Sequence, residues 1–237
     1  MILLSIGTLL IGGGVIAGVV FGVVLDDDGP PVVLQVSVAP SASPTMSPTI
    51  QLGPKEFVKR LEGLLPEFTS LAIANNPQGP QALAAQWVTM DESFPDYEDS
   101  VILHRFAMVV FYFATGGPKW TNNTGWLDYS DDCTWFDSPR PAKGEVCVNG
   151  TRRVLTLEKN NLKGTLPPEI ALFSSIESIY LVDNELGGQI PSEVGLLTAL
   201  NALTILDNQW TGTLPTTIGM MTELRHLDVA YSSFSDG

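Results

Sequence analysis

The sequence predicts an α/β chain: a right-handed solenoid of short parallel β-strands, preceded by a helical N-terminal cap and a single transmembrane helix. Three observations predict it. A 24-residue motif repeats in register from residue 155 onward, an uncharged apolar run fills residues 2–25, and helical apolar spacing recurs between residues 55 and 115. The chain divides accordingly into a span at 2–25, a Pro/Ser/Thr-rich stalk at 26–54, a helical region at 55–118, a two-cysteine cap at 119–153, and repeats at 154–237, three complete and one partial.

The 237 residues are 44% hydrophobic but only 16% charged, so some apolar residues belong outside a globular core. The net charge of −14 argues against nucleic acid, whose phosphates demand a basic footprint. It fits either a self-repelling soluble ectodomain or one with a basic partner. Two cysteines are too few for a disulfide-scaffolded miniprotein or a structural zinc site.

Ile2 to Leu25 carries no charged side chain and ends abruptly at Asp26, Asp27 and Asp28. A helix rising about 1.5 Å per residue crosses the roughly 30 Å hydrocarbon layer in such a stretch. It is longer than the core of a secretory signal and lacks the basic residues that precede one. A retained anchor is therefore expected, with a cleaved signal ending near Ser37-Val38-Ala39 as the alternative. Gly14, Gly18 and Gly22 would line one stripe of that helix, either as a dimer contact or as the glycine common in membrane helices. The first basic side chain is Lys55, so charge bias says little about orientation; the chain beyond the helix favours an extracellular or luminal C-terminal part. The missing basic flank before Met1 hints at a preceding cytosolic segment. The stalk, with Ser-Pro-Thr at 43–45 and 47–49, cannot build a core and reads as an extended linker, O-glycosylated or bare.

Phe57, Val58, Leu61, Leu64 and Leu65 share a helical face interrupted by Pro66. A turn at 75–80 precedes an amphipathic piece from Gln81 to Met90, and Glu98 to Thr115 reads as a strong helix stopped by Gly116-Gly117. This region is expected to pack over the open end of the repeats. His104 reads as a boundary residue rather than a ligand or base.

The repeats read LTLEKNNLKGTLPPEIALFSSIES, IYLVDNELGGQIPSEVGLLTALNA and LTILDNQWTGTLPTTIGMMTELRH, and a fourth begins LDVAYSSFSDG. Leu155, Ile179, Leu203 and Leu227 align, as do Asn160, Asn184 and Asn208, and then Pro167, Pro191 and Pro215. Strand side chains alternate, so both leucines of each LxL point into a shared interior that no single repeat could close. Trp210 occupies a leucine position and reads as core. This pattern resembles the plant-type leucine-rich repeat of receptor kinases, receptor-like proteins and polygalacturonase inhibitors. The resemblance implies a concave face built from the residues between the leucines. The candidate ligand-binding residues there are Thr156, Glu158, Tyr180, Val182, Asp183, Thr204, Leu206, Asp207 and Asp228, with Ala230, Lys159 and Tyr231 completing the columns. Tyr180, Val182 and Leu206 are expected as an exposed apolar patch; the alternative is a merely solvated sheet. The fourth repeat departs from the pattern, with Ser232 for asparagine and Asp236 for glycine, and shows no C-terminal cap. That is expected of a fragment of a longer product, or of an edge covered by a partner.

The segment before the repeats resembles the cap of this repeat class, roughly CxWxGVxC, through Cys133, Trp135, Val146 and Cys147. The insertion at 137–145 replaces its tight glycine turn. The FYFATGG…W…GWL…C.W run is also similar to membrane-anchored repeat proteins of algae. The resemblance implies a Cys133–Cys147 disulfide and hence an oxidising compartment, the alternative being two free thiols. Asn122 and Asn149 head N-glycosylation sequons within this cap. No catalytic signature and no cofactor motif is present. Asp128, Asp131 and Asp132 lack the order of a calcium loop, so no metal is expected. The expectation is a non-catalytic, membrane-anchored module that recognises a protein, peptide or glycan, with a wall-associated adhesive protein or an inhibitor of a secreted enzyme as alternatives.

Overall fold

The structure, a computed structural model, describes residues 53–129, 131–135, 146–148 and 151–234, with a few paired dipeptides between residues 5 and 33. These dipeptides and the rest of the chain fall in two separate units, dividing at residues 49 and 50. In the first unit Ser5–Ile6 pairs antiparallel with Val20–Phe21, Leu10–Ile11 with Gly14–Val15, and Val23–Val24 with Val32–Val33. No helix among the described residues is long and apolar enough to cross a membrane. Where the expected transmembrane helix is described, its valines and isoleucines are extended, as β-branched residues readily are. Gly18, Gly22 and most of the stalk lie outside the described residues.

In the second unit four helices come first: α1 (Pro54–Arg60), α2 (Glu67–Asn75), α3 (Pro80–Met90) and α4 (Asp99–Ala114). Proline sets three of their starts, at Pro54, Pro66 and Pro80, because its fixed φ suits the first turn and its missing N–H is not needed there. The first helix ends at Arg60 and the chain turns through 61–65, with Gly63 at φ +82°, before Pro66 caps α2, so one apolar face becomes two helices. Helix α4 is the hub: Ile102, Phe106, Met108, Val109, Val110 and Phe111 are all fully buried. It packs on α3 and on the first repeat, so the helices do cover that end of the solenoid. The seam is polar as well as apolar. Glu169 of the first repeat is fully buried, and its carboxylate accepts from Thr69 Oγ1 at 2.8 Å and Gln81 Nε2 at 3.2 Å.

The repeats form two parallel sheets. The first comprises Val154–Thr156, Ser178–Tyr180, Ala202–Thr204 and His226–Asp228. Leu155, Ile179, Leu203 and Leu227 lie opposite one another in register, as a 24-residue period requires. The second sheet, Lys163–Thr165, Glu185–Gly188, Gln209–Gly212 and Ser233–Phe234, is also parallel and occupies a stretch where the repeat pattern alone predicts only an irregular return. Short 3₁₀ turns at Pro168–Leu172, Ser192–Leu196 and Thr216–Met220 come after the Pro-containing corners and close each coil. The interior is the stacked leucine columns: Leu155, Leu157, Leu162, Phe173, Ile176, Ile179, Leu181, Leu186, Leu200 and Ile205 are all fully buried. Each such side chain contributes roughly 1.5–3 kcal/mol by burial. Trp210 is fully buried in its leucine position, its indole N–H donating to Ile205 O at 3.0 Å. Leu227, on the last described coil, is 37% exposed because no further coil lies over it among the described residues.

Gly164 marks where helix and second sheet meet. Its φ is +122°, and a β-carbon there would stand 2.2 Å from Ala114 O at the end of α4. The adjacent Lys163 N–H donates to Thr115 O at 2.9 Å, so backbone from the helical region continues the edge of the sheet.

Candidate functional site

A ladder of asparagines sets the edge of the first sheet. Asn184 Oδ1 accepts the N–H groups of Asn160 and Leu162, both at 3.0 Å, while its Nδ2 donates to Leu157, Leu181 and Val182 carbonyls at 2.8–3.1 Å. Asn208 repeats this one coil later, accepting from Leu186 N and donating to Leu181, Ile205 and Leu206 carbonyls. Asn160 reaches the other way, accepting from Asn122 N at 2.7 Å and donating to Asn122 O at 2.9 Å. The cap thus enters the ladder as though it were one more coil.

The residue before each asparagine position turns the chain through the left-handed region: Lys159, Asp183, Asp207 and Tyr231 have φ between 51° and 58°. Aspartate tolerates this conformation through local hydrogen bonding, whereas a bulky tyrosine there is uncommon. Tyr231 is nonetheless 80% exposed. Replacing it with asparagine is expected to raise stability by up to about 1 kcal/mol, since asparagine enters this region more readily. Thermal denaturation of the two proteins checks it, and an unchanged or lower midpoint goes against a strained Tyr231.

The candidate face is the side of the first sheet not used by the leucines. Its central column is Thr156, Tyr180, Thr204 and Asp228, aligned by the strand register. Thr156 and Thr204 are only 2% and 3% exposed, and Val182 only 8%. The expected open patch is corrected here: Val182 is buried, and Thr156 and Thr204 are buried on either side of a half-buried Tyr180. Tyr180, Leu206 and Glu158 are half-buried, while Asp183, Asp207 and Tyr231 are exposed. The Oγ1 of Thr204 is buried without a hydrogen-bond partner among the described residues, an arrangement that costs roughly 1–3 kcal/mol. Asp183 pairs loosely with Lys159 at 3.6 Å, both largely exposed, and Asp228 Oδ1 accepts from Ala230 N at 3.3 Å. The face is therefore a narrow aromatic–aliphatic strip, Tyr180, Leu206 and Tyr231, edged by carboxylates. Tyr231 belongs to this strip more than its sequence column implied. Its exposure follows its turn column, since Lys159, Asp183 and Asp207 are exposed as well.

The cap is held by the Cys133–Cys147 disulfide, with the two Cα atoms 5.9 Å apart. Closing a loop of this length adds roughly 3 kcal/mol in the chain-entropy model. Beneath it Arg152 is fully buried. Its guanidinium donates to the carbonyls of Asp132, Trp135 and Val154, and its Nε lies 3.6 Å from Asp132 Oδ2. Asp132 also meets His104 Nε2 at 3.2 Å, so His104 ties α4 to the cap. Burial pushes the Asp132 carboxyl up. The hydrogen bond and charge of His104, with Arg152 and Arg105, more than offset this and hold it below the ordinary value. Asp131, Asp132 and Cys133 lie within 4.8 Å of one another, but the sulfur is in the disulfide and Asp132 is committed to Arg152 and His104. Tyr112, Trp120, Trp126 and Trp135 fill the rest of the cap as a chain of rings with centroids 4.8–5.8 Å apart. Asn122 is described; Asn149 lies outside the described residues.

No family model matches the sequence, and no curated protein does. Among solved structures the chain is similar to plant leucine-rich-repeat proteins. The BIR3–SERK2 complex from Arabidopsis thaliana matches at 23% identity over 48% of this chain and 58% of that one, with a TM-score of 0.38. The ectodomain of the receptor kinase SOBIR1 from Arabidopsis thaliana matches at 26% identity over 35% and 45%, with a TM-score of 0.34. A plant ice-binding protein matches at 21% identity over 54% and 40%, with a TM-score of 0.45. The chain thus spans less than two thirds of the length of each of these. The solenoid itself stands on this chain's own strand register and asparagine ladder. An architecture of this kind names no ligand, which is set by the residues of the face.

Proposed function

We propose that the chain is a non-catalytic recognition module whose first sheet binds a protein or peptide outside the cytosol. The observation that carries the reading is the strip of half-buried Tyr180 and Leu206 with exposed Tyr231, edged by Asp183, Asp207 and Asp228. Large aromatic and aliphatic side chains at the centre of a polar rim are the usual anchors of protein interfaces. The carboxylates, on a chain of net charge −14, favour a partner with lysine or arginine beside an apolar group.

The anchor is a proposal from composition. Hydrocarbon offers no partner for backbone amides, so in a bilayer residues 2–25 take the helical form that pairs them internally. Dimer contact through Gly14, Gly18 and Gly22 belongs to the same proposal. The disulfide in the cap supports an extracellular or luminal placement.

The test is a Tyr180→Ala, Leu206→Ala double variant of the full chain. Partner capture at the cell surface is expected to fall at least tenfold, two anchors of about 1–2 kcal/mol each, while the melting curve stays near that of the parent. Capture unchanged by the pair defeats the first-sheet proposal.

A further inference from the structure

We propose that Asn122 is an N-glycan attachment site already presented by the folded cap, with the glycan standing on the coil ahead of the first repeat. This rests on the extracytosolic reading. Asn122-Asn123-Thr124 is a sequon, but sequons occur by chance, and three structural facts single this one out. First, both backbone groups of Asn122 are fixed by Asn160, at 2.7 and 2.9 Å, so its main chain is held as firmly as a repeat position. Second, its Oδ1 accepts the Thr124 N–H at 2.9 Å, which fixes the amide plane and brings the sequon threonine against it. Third, Nδ2, the atom to be modified, makes no hydrogen bond among the described residues and is not buried.

The contrast with the ladder asparagines is direct. Asn160, Asn184 and Asn208 spend their Nδ2 atoms on backbone carbonyls, so modifying any of them would break the solenoid. Asn122 uses its backbone and Oδ1 for structure and leaves only Nδ2 over.

The reaction takes its sugar from a lipid diphosphate-linked oligosaccharide in the secretory lumen. Nδ2 bonds to the anomeric carbon as the carbon–oxygen bond to the diphosphate breaks. The departing lipid diphosphate keeps that electron pair, and one amide proton is released. Because Asn122 is bonded to Asn160, the glycan would stand near the first coil of the repeats. It would crowd the N-terminal end of the first sheet and leave the Tyr180–Leu206–Tyr231 strip open towards the other end.

Expression of the full chain in a eukaryotic secretory host, then peptide mapping with and without glycosidase, tests the site. The Asn122 peptide is expected to carry a glycan in most molecules. Thr124→Ala should remove that glycan alone, with the Cys133–Cys147 disulfide still formed, and Asn122→Gln should do the same. A bare Asn122 in protein whose disulfide has formed overturns the inference, whatever the state of Asn149. Free thiols together with no glycan anywhere overturn the extracytosolic placement and this inference with it.

Discussion

Replacing Asn184 with alanine is expected to lower the unfolding free energy by about 3–5 kcal/mol, enough to drop the melting temperature of a chain this size by roughly 10 °C. The side chain satisfies five backbone groups belonging to two successive coils. Alanine strips that partner from Asn160 N, Leu162 N and Leu157 O where water cannot replace it, while Leu181 O keeps Asn208 Nδ2 and Val182 O keeps Lys159 N. Each unmet buried group costs about 1–3 kcal/mol, and local adjustment recovers part of the total. Asn184→Asp is the sharper control. It keeps the acceptor for Asn160 N and Leu162 N but turns a donor facing three carbonyls into an acceptor. The aspartate variant should therefore be no more stable than alanine at neutral pH, although it is nearly the same shape. If both variants melt within about 2 °C of the parent, the ladder does not hold the coils together.

The second large effect lies in the cap. Arg152→Met is expected to cost about 3–5 kcal/mol, the usual consequence of removing one partner from a buried ion pair. The buried guanidinium ties three backbone carbonyls to Asp132, and lysine at 152 should recover little because one ammonium cannot reach them all. The same network gives a pH signature. The folded carboxyl of Asp132 titrates below its ordinary value, so in acid the unfolded chain takes up the proton first. Its stabilisation is complete above the ordinary carboxylate range and is lost as pH falls below about 4 through the depressed value. Melting temperatures measured from pH 7 to pH 3 should fall less steeply at the acid end for Asp132→Asn than for the parent. Parallel acid limbs would remove Asp132 as a source of the acid sensitivity.

Much of this architecture is legible in the sequence, because a strict period leaves one register. Aligning Leu155, Ile179 and Leu203 by 24 residues gives the strand partners directly, and the recurring asparagine marks the turn after each strand. The second sheet was not legible. Its strands are KGT, ELGG and QWTG, where glycines and mixed polar residues carry no sustained alternation. They pair only because stacked coils bring them side by side. The Glu169 contacts with Thr69 and Gln81 span about a hundred residues and leave no local signal. At the candidate face, sequence placed the columns but not their heights. That Thr156, Thr204 and Val182 are buried beside half-buried Tyr180 and Leu206 depends on packing across the face, which an alignment of columns does not carry.

Recognition through the first sheet is the central claim, and site-directed photocrosslinking tests it most directly. A benzophenone amino acid is placed at Tyr180 in one protein and at Gln189, exposed beside the second sheet, in another. Both are displayed on cells as the full chain and irradiated. A discrete protein or peptide adduct is expected from position 180 and none from position 189. Adducts of equal yield from both positions, or from 189 alone, would contradict recognition by this face.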